Sequence, residues 1–374
     1  MEDLRPILDV EPSKNGVEPI PLEIKVLASL RHMGRGECWD TIVELCNDKT
    51  CITTLSNFFR RFIKAMREVY EETMIHPPRT STELESVLTR SEKRGIPGCV
   101  GFLDGVHVQW DKCPSQWKHI SIGKCDYPTI GWQCACNHNR RFISVQKANL
   151  GSINDQNAIK MDRFVSELRT NPLYRDWNYT IYDATGGSHE ESGLWLSVDG
   201  GYIRIPECLV GEPLMFHAWM SKWTTFMESE RKHIECAFGI LKSRFRILKL
   251  PIRMHKFEEI DDMFHTCCIL HNMCLDYDGL DEGWDLGTCS STGFEPGPDG
   301  YFSDDDNHRF YYSRGMFYDI FPDIDYSEVG ITSVSSLTLG GKRDTQNFVT
   351  KRNKMAKHWY YMYRQGLIDF DFKF

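Results

Sequence analysis

Apolar residues recur at helical spacing early in the chain: Leu22, Val26, Leu27, Leu30 and Met33, with Gly34 and Gly36 ending the run. A second short helix is expected over 38–46. A third is expected over about 54–72, where Leu55, Phe58, Phe59, Phe62, Ile63 and Met66 share one side. His76-Pro77-Pro78 interrupts the pattern, and 81–94 reads as a connecting helix. The period then shortens toward two, and strands are expected at 98–104, 106–110, 127–136 and 141–149. Asp155 or Asn154 is expected to cap a helix over 156–168. Residues 171–192, with Gly186-Gly187, read as a loop-rich insertion before a strand at 193–199. Helices near 224–245 and at 257–275 close the region. Strands followed by a helix, another strand and late helices describe an α/β fold.

Two of these strands end at an aspartate. Asp104 closes the apolar run in GCVGFLDGVHV (98–108), and Asp199 closes GLWLSVDGGY (193–202), where Gly200-Gly201 lets the backbone turn beside the carboxylate. Either aspartate alone fits a turn. Glu235 lies in the helical stretch ERKHIECAFGILKSRFRIL (230–248), 36 residues beyond Asp199, and Glu228 shares its face. Carboxylates of this kind are the hard oxygen ligands that divalent ions prefer. Two such ions can bracket the attacking and leaving oxygens of a phosphodiester. On the third helix Arg60, Lys64 and Arg67 form a basic stripe at i, i+4 and i+7. That stripe reads equally well as a DNA-contacting face or a solvated one.

The motifs GFLDGVHV, YPTIGWQCACN (127–137), GSIND (151–155), VDGGY, RKHIECAFGILKSRFRIL and CCILHNM (267–273) occur in one order over roughly residues 20–275. A weaker echo follows in RNKMAKHWYYMYRQG (352–366). The chain thereby resembles the PIF/Harbinger superfamily of transposases and the nucleases derived from them. The resemblance implies a ribonuclease-H-like catalytic core of the DDE type, with Asp104, Asp199 and Glu235 as catalytic and metal-binding acids. It selects Glu235 over Glu228. It implies Mg²⁺ or Mn²⁺ as a two-ion cofactor, DNA as substrate, a separate Myb-like DNA-binding partner, a homo-oligomer and a nuclear location. The resulting expectation is a metal-dependent endonuclease or transposase that cuts and joins phosphodiester bonds. The alternative is a domesticated descendant that binds DNA or chromatin without cleaving it.

On this reading residues 1–20 are a flexible lead, 21–95 a helical, helix-turn-helix-like module for DNA or a partner, and 96–275 the nuclease core. Residues 276–345 form an acidic Gly-rich insertion, and 346–374 a C-terminal helix. The net charge of −9 in 374 residues disfavours DNA binding until it is divided. Residues 276–329 hold 14 Asp and Glu against Arg309 and Arg314, a local −12, which leaves +3 for the rest. Lys242 and Arg246 follow Glu235 on its helix face and are candidate phosphate contacts. The 14 cysteines are scattered through apolar segments and read as reduced thiols. Two groups, Cys134/Cys136/His138 and Cys267/His271/Cys274, lack a paired Cys-x-x-Cys knuckle, so zinc is not expected at either. His107 reads as lining the site or packed beside it. No apolar run is long enough for a membrane span.

Overall fold

The computed structural model describes residues 3–8, 20–46, 50–211, 218–279 and 340–368. The acidic segment expected to be peripheral lies almost wholly outside these residues. The fold is mixed α/β. Helices α1 (Leu22–Arg35), α2 (Trp39–Leu45), α3 (Ile52–Met74) and α4 (Ser81–Lys93) come first. Strands β1 (Cys99–Gln109), β2 (Thr129–Cys136), β3 (Phe142–Val145) and β4 (Asn149–Leu150) follow. Then come α5 (Arg163–Thr170), the pair β5 (Asn178–Tyr182) and β6 (Ser188–Ser192), and strands β7 (Trp195–Ser197) and β8 (Cys208–Leu209). Three long helices complete it: α6 (Ala218–Arg244), α7 (Phe257–Asp278) and α8 (Lys342–Arg364).

Among the described residues the central sheet runs β3-β2-β1-β7-β8, with β4 paired to β2. Strands β1, β2 and β3 are antiparallel neighbours, whereas β1–β7 and β7–β8 are parallel. Both faces of β2 are buried, in keeping with a run from Ile130 to Cys136 that is apolar apart from Gln133. One side of the sheet packs on α3, α6 and α7 through Phe62, Phe102, Trp132, Phe238 and Phe264. The other packs on α4, α5 and α8 through Val100, Leu103, Phe164, Trp195 and Trp359. Trp132 stacks on Phe264 with centroids 4.1 Å apart.

Three expectations are corrected. β1 is one strand through Asp104, which pairs opposite Cys134. Gly105 stays in the ladder, so the aspartate is mid-strand rather than terminal. The helix expected over 156–168 breaks at Asp162, whose carboxylate accepts from Val165 N at 3.0 Å and caps α5. The segment 171–192 contains the β5–β6 hairpin. Its turn is held by Asp183 Oδ1, which accepts from Thr185 N at 2.8 Å and Gly187 N at 2.9 Å.

Helix α3 is joined to α7 by a charged cluster. Arg67 Nη1 reaches Asp261 and Asp262, each at 2.8 Å, and Arg67 Nε reaches Glu71 at 2.7 Å. His265 Nδ1 lies 2.7 Å from Glu71 Oε1, out of hydrogen-bond alignment, and its Nε2 lies 3.5 Å from both Asp261 Oδ1 and Arg67 Nη2. Burial opposes a charge on His265, but Asp261 and Glu71 outweigh it and lift the imidazole to about 9. The folded-state value therefore exceeds the ordinary 6.5. Its stabilisation is complete below about pH 6.5 and is lost as pH rises through about 9. Thermal melts between pH 6 and 10 should decline across that window, and His265→Gln should flatten the decline. An unchanged alkaline limb in the variant would assign the loss elsewhere.

Candidate active site

Asp104 projects from the middle of the sheet, and Asp199 lies two residues beyond β7, the parallel neighbour of β1. Gly201 N donates to Asp199 Oδ1. A side chain at Gly201 would place its Cβ 3.1 Å from Asp199 Oδ1 and 3.3 Å from Asp155 Oδ2, so any larger residue would crowd the two carboxylates that approach there. Asp155 was not expected in the site. It arrives because Asn154, rather than Asp155, caps the next turn, accepting from Asn157 N at 2.9 Å. The carboxylate left over faces Gly105, Tyr202 and Gly201, and Lys124 Nζ pairs with it at 3.1 Å. The pair of candidate caps in the sequence was the available signal.

Helix α6 brings the third acid. Arg231 Nη1 lies 3.3 Å from Asp104 Oδ2 and 2.7 Å from Glu235 Oε1, so both carboxylates reach one guanidinium nitrogen. Glu228 approaches the same guanidinium at 3.4 Å from the exposed side. Glu230, one residue before Arg231, turns inward instead and is buried against Arg94. Thus Asp104, Asp199 and Glu235 converge, with Asp155 and Arg231 completing a ring of four carboxylates and one internal cation.

Burial pushes the Asp104 acid up to about 7. Arg231 and the Gly105 N–H, which donates at 2.7 Å, pull it down, while Asp199 and Glu235 push it further up. One arginine therefore does not offset the negative charge collected here. Carboxylates drawn from β1, the loop after β7, the short helix Asp155–Ala158 and α6 are also the hard donors a divalent ion uses. The residues fit Mg²⁺ or Mn²⁺. His107 Nδ1 lies 3.2 Å from Thr129 Oγ1 on the adjacent strand and lines a small cavity with Gln133, Asp155 and Tyr202.

The basic candidates are placed differently from one another. Arg67 is held inside the α3–α7 cluster and Arg60 pairs with Glu259 at 3.1 Å. Lys64 is exposed, 3.7 Å from Glu68. Arg246 is exposed in the turn after α6, and Lys242 lies near enough to His107 to oppose its protonation. Cys134, Cys136 and Cys267 are buried, and burial raises their thiols well above the usual range. His271 accepts its place in the core through Arg140 O at 3.0 Å and Arg244 at 3.3 Å. His138 follows Cys134 and Cys136 in the sequence. Among the described residues it forms one possible metal-binding group with Glu230 and His233, each offering a ligand atom within 4.8 Å of the others.

The sequence profile described as plant transposon protein matches residues 74–281, a span that contains all three predicted acids and α6. A curated relative, Protein ALP1-like of Arabidopsis thaliana, is 24% identical over 276 residues, covering 71% of this chain. The aligned region spans 63% of that relative's length. No solved structure matches. No helix among the described residues is long and apolar enough to cross a membrane.

Proposed function

The chain belongs to the plant transposon protein family, and from that membership and its acidic ring we propose a divalent-metal-dependent nuclease of transposase descent. The observation that carries this reading is the convergence of Asp104, Asp199 and Glu235 from β1, the β7 end and α6. The strand order β3-β2-β1-β7-β8, with its antiparallel meander and two parallel additions, supports a ribonuclease-H-like core. In that core Asp104, Asp199 and Glu235 would hold the ions.

When bound, Mg²⁺ or Mn²⁺ supplies an activated water at neutral pH and charge stabilisation at the leaving 3′-oxygen. The chain's own groups prepare that chemistry. Burial lifts Asp104 to about 7 against the pull of Arg231, so its acid would lose its proton near neutrality and a bound cation would favour the charged form. Arg231 holds Asp104 and Glu235 in register from beneath. Lys124, exposed beside Asp155, Lys242 on α6, and Arg246 in the turn after it are positioned to meet phosphates, with Lys64 and Arg60 as more distant contacts. The substrate is DNA, the setting nuclear, and a Myb-like partner or a second copy would supply end recognition.

One observation favours binding without cleavage: Arg231 already bridges Asp104 and Glu235, as a cation would. End-labelled duplex DNA incubated with the full chain and Mg²⁺ or Mn²⁺ separates the two. Nicks bearing 3′-hydroxyls that vanish with chelator support the nuclease. DNA retention without nicks in either metal supports the binding-only descendant.

A further inference from the structure

We infer that His138, Glu230 and His233 form a second metal site, separate from the acidic ring, for one divalent ion of the zinc class. Glu230 and His233 are three residues apart on α6 and so lie on one face, and His138 follows β2 in the turn to β3. One ligand atom from each comes within 4.8 Å of the other two.

Hydrogen bonding prepares His138 for this role. Ser91 Oγ donates its only proton to Cys99 O at 2.6 Å. The 3.0 Å contact between Ser91 Oγ and His138 Nε2 must therefore carry the histidine's proton. Nδ1 is left as a lone pair. It is buried and has no hydrogen-bond partner among the described residues, on a side chain only 3% exposed. His233 Nδ1 is likewise buried without a partner. A histidine whose other nitrogen is fixed by a hydrogen bond is the arrangement that orients metal-ligating imidazoles.

The surroundings select the ion. Phe102 walls the site, edge-on to His138 at 5.0 Å and tilted against His233 at 4.9 Å. Imidazole binds metal in its neutral form, through a nitrogen lone pair such as the one His138 Nδ1 presents. Arg94 donates to both carboxylate oxygens of Glu230, at 2.8 Å from Nε and from Nη2 as well, so an ion here would share that carboxylate with the guanidinium. Arg90, Arg94 and Arg140 also oppose a purely electrostatic cation. An ion that gains affinity from imidazole bonding is favoured over Ca²⁺ or Mg²⁺. Two histidines and one glutamate leave a further position for water. Such an ion would tie α6, which carries Arg231 and Glu235, to the β2–β3 turn.

The test is zinc content and affinity of the full chain, measured by elemental analysis after dialysis and by competition with a chromophoric chelator. Co²⁺ replacement provides a visible spectrum. The wild type should hold about one tight zinc. His233→Gln should weaken it at least about 100-fold, and Ser91→Ala about 10–100-fold with an altered Co²⁺ spectrum. The Asp104→Asn/Asp199→Asn/Glu235→Gln variant should keep it, which distinguishes this site from the acidic ring. Circular dichroism checks folding of each variant. If His233→Gln does not fold, Ser91→Ala and the wild-type stoichiometry decide. Substoichiometric zinc in the wild type, or undiminished affinity in folded His233→Gln, overturns the site.

Discussion

Asp104→Asn, Asp199→Asn and Glu235→Gln should each lower metal-dependent strand cleavage by at least about 10²–10³-fold, the scale of losing one preorganised electrostatic group. Each swap keeps shape and removes the negative charge that would hold an ion. Stability should not follow activity. The ionised form of Asp104 is disfavoured in the fold, so Asp104→Asn should melt no lower than the wild type above pH 7. Arg231 keeps Glu235 and Glu228 as partners in that variant. Glu228→Gln should be mild, because Glu228 is half exposed and meets Arg231 only at 3.4 Å. Cleavage kinetics beside thermal melts check both halves. An inactive Glu228→Gln next to an active Glu235→Gln would move the third acid one helical face segment earlier.

Asp261→Ala should be the most destabilising single change in the α3–α7 cluster, by about 3–5 kcal/mol. The carboxylate is 1% exposed. It accepts from Trp132 Nε1 at 2.8 Å, Ala148 N at 2.9 Å and Arg67 Nη1 at 2.8 Å. Alanine would strand two N–H donors, Trp132 Nε1 and Ala148 N, and leave Arg67 and His265 facing each other at 3.5 Å with Glu71 as their remaining shared anion. Arg67→Ala should cost less, since Asp261 keeps its two N–H partners and His265. Urea unfolding of both variants tests the order. A loss below about 1 kcal/mol for Asp261→Ala would mean the cluster is no more than a surface pairing.

Local patterning carried much of this architecture. Leu22 to Met33 and Phe58 to Met66 announced α1 and α3, and the apolar runs around Phe102 and Trp132 announced the sheet's centre. Asp104 and Asp199 stood out at the ends of apolar runs, whereas Glu235 was set apart from Glu228 by the family resemblance alone. What stayed hidden depended on distance along the chain. Arg67 reads as a free basic position until Asp261, 194 residues away, is folded against it. His138 reads with its neighbours Cys134 and Cys136, whereas Glu230 and His233 come to it from α6. The β5–β6 hairpin was masked by alternation too short to register, Tyr179 and Ile181 being its only buried positions on β5. Asp155 was legible only as one of two caps, and the choice of Asn154 for that task is what turns it toward Asp199.

The proposed nuclease stands on catalytic metal held by the acidic ring. Crystals grown with Mn²⁺ and measured for its anomalous scattering test this most directly. Peaks are expected within about 2.5 Å of carboxylate oxygens of Asp104 and of Asp199 or Glu235, with Arg231 withdrawn from at least one of its present partners. Absence of any peak in the ring at saturating Mn²⁺, with Arg231 still bridging Asp104 and Glu235, would contradict it.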